Sequence, residues 1–150
     1  MPRVARPFAL PRSLEPDLAL VRQYWRGLLR GGAVTPFSDD VNPSTLGAVS
    51  GQIFLVEVMD QPRRCRFAQV GKAVAKAYGK GVEGLFTDEA EPTAPFQFLT
   101  AQASMTAEAA QPTYYRHAAA GEPAYSRVLL PAWGNGRVDL LLGAITWTAT

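Results

Sequence analysis

"RFAQVGKAVAKAYGKGVEG", residues 66–84, holds the choice between two kinds of protein. Its last six residues, "GKGVEG" (79–84), spell G-x-G-x-x-G, the fingerprint of dinucleotide-binding folds. That fingerprint works only in a set place. The glycines must leave a strand and open a helix whose N-terminus faces the pyrophosphate. An acidic residue should follow roughly 20 positions later. Here the glycines follow "KAVAKAY" (72–78), which reads as a short helix, and lead into the proline-rich "LFTDEAEPTAP". The position where the acid is due falls near Ser104, inside an Ala/Thr-rich helical segment. A phosphate loop fails as well, because Gly81 follows Lys80 and Val74 stands where the first glycine should be. The plainer account is conformational. Gly79 can take positive φ and stop helix 72–78, and Gly81 and Gly84 re-aim the chain.

On the N-terminal side, "QIFLVEV" (52–58) is β-branched and aromatic, with the length of a strand. "MDQPRR" is a turn, and "RCRFAQV" (64–70) is the returning strand, with Cys65, Phe67 and Gln69 assigned to one face. On the C-terminal side, "TDEAEPTAP" is a loop. "FQFLTAQASMTAEAA" (96–110) is read as a helix with Leu99, Ala103 and Thr106 down one side. Strands are expected at 112–119, 124–133 and 138–148, the last two joined by a hairpin at Asn135-Gly136. Strand 138–148 is apolar on both faces, so both should be covered.

Upstream, Ser13 is the expected N-cap of a helix over 14–30, with Glu15 and Asp17 in its first turn and Gly31-Gly32 after its end. Leu14, Leu18, Val21, Trp25 and Leu28 recur at spacings of four, three, four and three. This stripe either covers the sheet within the chain or forms a dimer interface. A short helix is expected at 43–49. Residues 1–12, with three prolines, read as a flexible arm, and 13–150 as one domain. Hairpin-linked strands with helices between them make an α+β domain with an antiparallel sheet.

Composition narrows the function. With 15 basic and 13 acidic residues there is no broad basic stripe, and no nucleic-acid partner is expected. Arg22, Arg26 and Arg30, and Arg63, Arg64 and Arg66, read as solvated surface groups. No run approaches the roughly 20 apolar residues of a membrane span. One cysteine and one histidine leave no zinc pattern and no internal disulfide, and a cytoplasmic location is expected. His117 is the only imidazole base for a nucleophilic triad, and no nucleophile elbow accompanies it, so no enzyme is expected.

Taken together, "QYWRGLLRGG" (23–32), "TPFSDDVNPSTL" (35–46), "QIFLVEV" (52–58), the segment 66–84 and "RVLLPAWGNGRVDLLLGAI" (127–145) resemble PAS sensor domains. More closely, they resemble a compact single-domain PAS-like family of α-proteobacteria. The likeness lies in the order and spacing of the blocks over residues 20–146. Phe37-Ser38, Lys72 and Ala132 depart from the family pattern.

The resemblance implies a five-stranded antiparallel sheet of order 2-1-5-4-3 with helices over one face. It also implies a stand-alone sensory module that binds a small apolar or amphipathic ligand or a signalling partner protein. With three residues after Trp147, output is expected to pass to another polypeptide, and a homodimer would suit it. The alternative is a structural interaction protein with a filled core. A cofactor-bearing sensor fits less well. "CRFAQ" (65–69) resembles a flavin-reactive cysteine motif, but Cys65 lies on a strand and precedes the glycine turn. His117, also on a strand, is a poor match to the helical haem ligand of PAS oxygen sensors. No cofactor is therefore expected. A ligand pocket, if formed, would lie between the sheet and the middle helices, walled by Phe54, Phe67, Tyr78, Phe86, Phe98 and Tyr115.

Overall fold

A computed structural model describes residues 8–60, 63–90 and 92–148. The hairpin β1 (Ile53–Met59) and β2 (Arg64–Val70) pairs Val56 with Phe67 and Val58 with Cys65. β3 (Thr113–His117), β4 (Ala124–Gly134) and β5 (Arg137–Thr148) complete one antiparallel sheet in the order β2-β1-β5-β4-β3. This is the strand order that the resemblance implies. Asn135 and Gly136 both have positive φ in the β4–β5 hairpin, as an Asn-Gly turn demands.

Alternation divides the core between two faces. Phe54, Val56, Phe67, Tyr125, Leu129, Leu141 and Ile145 point to the first, where α2 (Lys72–Tyr78) and α3 (Leu99–Ala109) contribute Val74, Leu99 and Ala103. Ile53, Val128, Leu130, Leu142 and Ala144 point to the second. Against them lies α1 (Pro16–Gly27), with Leu18, Val21 and Trp25 all buried. The Trp25 indole Nε1 donates to the Pro131 carbonyl at 2.7 Å. Leu14 and Leu28 are half-buried. The apolar stripe thus meets the sheet of its own chain. A dimer through Leu18, Val21 and Trp25 would require the helix to leave that sheet.

Local chemistry moved several boundaries. α1 starts at Pro16, not at 14, because proline lacks an N–H and fits the first helical turn. Glu15, not Ser13, holds the N-cap position, and no side-chain cap bond forms there. The expected helix at 43–49 is a pair of 3₁₀ turns within Pro43–Gln52, broken at Gly47 (φ 56°). The expected helix at 96–110 begins only at Leu99, since Phe98 takes a left-handed conformation (φ 59°). Residues 1–7 of the N-terminal arm lie outside the described residues. Beyond them, the Phe8 carbonyl accepts the Tyr114 N–H at 2.9 Å along the β3 edge.

The glycine turn behaves as its chemistry requires. Gly79 closes α2 at φ 93°, and its N–H donates to the Ala75 carbonyl at 2.9 Å. Gly84 (φ 89°) returns the chain beside β2. There the Gly84 N–H donates to Phe67 O and the Phe67 N–H donates to Leu85 O, each at 2.8 Å. An otherwise free sheet edge is partly paired in this way.

Gly71 joins β2 to α2 for a different reason. A Cβ there would lie 2.3 Å from Gly51 O and 2.7 Å from Ile53 O, which are backbone atoms with little room to yield. Gly71→Ala is expected to destabilise by about 1–3 kcal/mol through overpacking, read as a lower urea midpoint at unchanged slope. A midpoint equal to wild type would contradict this close approach.

Cys65 is buried on β2, and burial pushes its thiol up to about 11. A buried thiol held in its protonated form is unreactive. The linkage has a definite sign. From pH 9 to about 11 the unfolded chain releases this proton and the folded chain keeps it, so stability falls as pH rises. We expect Cys65→Ala to flatten the alkaline slope of stability over that window. An identical slope in the variant would contradict the assignment.

Candidate functional site

The six aromatics expected to wall one pocket fall into three places. Phe54 and Phe67 are fully buried and Tyr78 half-buried. They converge on Phe96, whose ring centroid lies 6.0, 5.0 and 4.8 Å from theirs. Phe96 therefore fills the space between the sheet and α2 that the sequence assigns to a pocket. Phe86 stands apart, beneath the Arg64 guanidinium at 3.7 Å, and Arg64 is in turn held by Asp88 at 2.6 Å. Phe98 is 63% exposed and meets Tyr115 at 5.7 Å, at the other end of the sheet face.

Between the first and third groups lies a residue that composition and periodicity did not single out. Arg127, on β4, has 0% exposure. β4 alternates Tyr125, Arg127 and Leu129 toward the face under α3, so the guanidinium points into the core. Its Nε donates to Gln102 Oε1, its Nη1 to the Pro95 carbonyl and its Nη2 to the Gln97 carbonyl, each at 2.8 Å. The Tyr115 ring lies 5.0 Å from the guanidinium carbon, a cation–π contact. Among the described residues no carboxylate forms an ion pair with Arg127. Burial pulls its pKa down to about 10, opposed by the neighbouring tyrosines, so the cation persists at neutral pH.

The acceptors are themselves held. The Gln102 amide nitrogen donates to Thr113 Oγ1 at 3.0 Å, which turns its oxygen to Arg127. Thr106 and Thr113 share a hydrogen bond of 2.6 Å, and the Thr106 hydroxyl donates to the Gln102 carbonyl at 2.8 Å. Tyr125, also fully buried, donates to Gln97 Oε1 and accepts the Gln97 N–H at 3.2 Å. Burial pushes its phenol up to about 12. The loop carrying Pro95 and Gln97 is thus fastened to the sheet by one cation and one phenol.

Toward the rim, the Tyr115 hydroxyl and His117 Nδ1 are 2.8 Å apart, and His117 Nε2 lies 3.2 Å from Glu122 Oε2. A neutral imidazole that accepts from Tyr115 and donates to Glu122 satisfies both contacts. With both ring nitrogens engaged, and the ring stacked 5.3 Å from Tyr125, His117 acts as a bridge between strand and turn. Among the described residues no group of three or more His, Cys, Asp or Glu side chains could hold a metal ion.

Over this loop runs an open cleft of about 500 Å³, lined by Thr87, Ala90, Phe96, Gln97, Phe98 and Leu99 among others. Its volume falls in the range of small-molecule sites. Of the six expected wall residues only Phe98 lines it. Gln97 links it to the buried network, since its side chain meets Tyr125 and its carbonyl meets Arg127. The cleft presents apolar surface from Phe96, Phe98 and Leu99 beside a fastened loop.

Fold and site together define a class: an α+β module with one antiparallel sheet covered on both faces and a buried, hydrogen-bonded cation beneath a surface cleft. No described helix is long and apolar enough to cross a membrane. No family model matches the chain, and comparison with curated proteins and with solved structures gives no match.

Proposed function

We propose that this chain is a PAS-type signalling module that takes up a small amphipathic ligand at the cleft beside Phe96 and Leu99. One observation carries this reading. Arg127 is a fully buried cation whose hydrogen-bond acceptors among the described residues are neutral oxygens, two of them from the loop that lines the cleft. A carboxylate or comparable anion is a stronger partner for guanidinium than a carbonyl, because it adds the attraction of an opposite charge and can accept two parallel N–H bonds. A ligand bringing such a group to Arg127 would displace the Pro95 and Gln97 carbonyls and free the loop. Phe98, on the same loop and largely exposed, would carry the change to a partner protein.

Native mass spectrometry of the gently purified chain tests this reading. We expect an adduct of a small acid on the wild type and none on Arg127→Met. Repeated adduct-free spectra of the wild type would favour a second reading. In that reading the module is a structural interaction protein, supported by the close packing of Phe96 against Phe54, Phe67 and Tyr78.

A further inference from the structure

Arg22, Arg26 and Arg30 follow one another at helical spacing, yet the fold treats them differently. Arg30 lies beyond the end of α1 and forms a two-pronged ion pair with Asp40, at 2.7 and 2.9 Å. Arg22 and Arg26, one helical turn apart, instead line a cleft of about 540 Å³ together with Arg12, Ser13 and Gln23. Among the described residues none of these three arginines has an acidic partner. The nearby acids are engaged elsewhere. Glu15 accepts the Tyr114 hydroxyl at 2.9 Å, and Asp17 accepts Gln52 Nε2 at 3.0 Å and the Thr146 hydroxyl at 3.2 Å. Arg22 Nε is buried and makes no hydrogen bond. A buried N–H without an acceptor is costly and calls for one.

Arg22 also borders a second cleft, of about 270 Å³, whose other walls include Phe8, Leu10, Met105, Ala109 and Pro112. A cationic cleft and an apolar one therefore meet at a single side chain. We propose that this surface is a binding site for a single-chain amphiphile. Its anionic head would sit among Arg12, Arg22 and Arg26, and its tail would lie between the Phe8–Leu10 segment and α3. Head recognition rests on charge-assisted bonds from guanidinium groups, and the tail gains by leaving water. Thr113, which holds Gln102 in the Arg127 network, also lines the second cleft, but the residues named for head and tail make no hydrogen bond to Arg127.

The probe is decanoate at submicellar concentration, titrated into the full chain and followed by backbone amide NMR shifts. The expected result is saturable shifts on α1 and around Met105 and Ala109. Affinity should fall about ten-fold in Arg22→Gln/Arg26→Gln and again in Ala109→Glu, while Arg127→Met leaves these shifts in place. 1-Decanol should bind about ten-fold more weakly than decanoate. Four outcomes would overturn the proposal. They are no saturable binding, undiminished affinity in the double variant, inorganic phosphate binding as tightly as decanoate, or binding only to anionic phosphatidylglycerol vesicles and not to the monomeric amphiphile.

Discussion

Arg127→Ala is expected to lower stability by about 3–5 kcal/mol, at the top of the range for a single substitution. The reason lies in what the guanidinium leaves behind. Gln102 Oε1 and the Pro95 and Gln97 carbonyls each lose their 2.8 Å donor, and a cavity opens beneath Tyr115. An unpaired buried acceptor costs roughly 1–3 kcal/mol, and water entering by the cleft would recover part of that. In a chain of 150 residues the loss corresponds to a fall of about 10–15 °C in Tm. Arg127→Met separates hydrogen bonding from volume, since it refills most of the space without a donor. Thermal unfolding of both variants decides the point. A methionine variant as stable as wild type would show that the loop carbonyls do not depend on the cation, and the proposed release of the loop by a ligand at Arg127 would fall with it.

The second large effect is expected at Phe96. Its ring meets Phe54, Phe67 and Tyr78 within 6.0 Å. Phe96→Ala should cost about 3–5 kcal/mol, from lost transfer energy and from the cavity left among rigid aromatic neighbours. An apolar cavity of that kind stays dry and accepts benzene-sized guests. Benzene should therefore raise the variant's urea midpoint and leave the wild type unchanged, because a ligand that binds only the folded state stabilises it. A loss below about 1 kcal/mol would mean that the aromatic cluster collapses around the deletion. The second functional reading, a module with a filled core, would then lose its support.

These two residues also mark where the sequence stopped being readable. The strands were legible because period-two alternation is a local property, and β2 runs over the residues expected, Arg64–Val70. Helix α2 and its Gly79 cap were legible for the same reason, since a glycine after an Ala/Lys run is local chemistry. Arg127 was not. In "AYSRVLLPAW" a charged residue normally marks the solvent face. Here both faces of β4 are buried, so polarity carried no side information. What pulls the guanidinium inward is a set of acceptors 25 to 32 residues upstream, which no local pattern displays.

Phe96 was misplaced by a true periodicity with a false extension. Phe96, Leu99 and Ala103 fit a helical stripe, and only the left-handed backbone at Phe98 ends the helix first. The helix 14–30 was overextended at both ends, since α1 spans Pro16–Gly27, and Pro16 was the overlooked signal for its start. The cleft itself is assembled from the loop before α3, the least patterned part of the chain. Composition could not have drawn it.

The central claim is that a small acid reaches Arg127 by displacing the loop that lines the cleft. The most direct test is an amide NMR titration of the full chain with phenylacetate, with 2-phenylethanol as the neutral control. The account predicts saturable shifts at the amides of Gln97, Phe98, Leu99 and Gln102 with phenylacetate, about ten-fold weaker binding of the alcohol, and loss of the response in Arg127→Met. Equal binding of acid and alcohol, or an unchanged response in Arg127→Met, would contradict it.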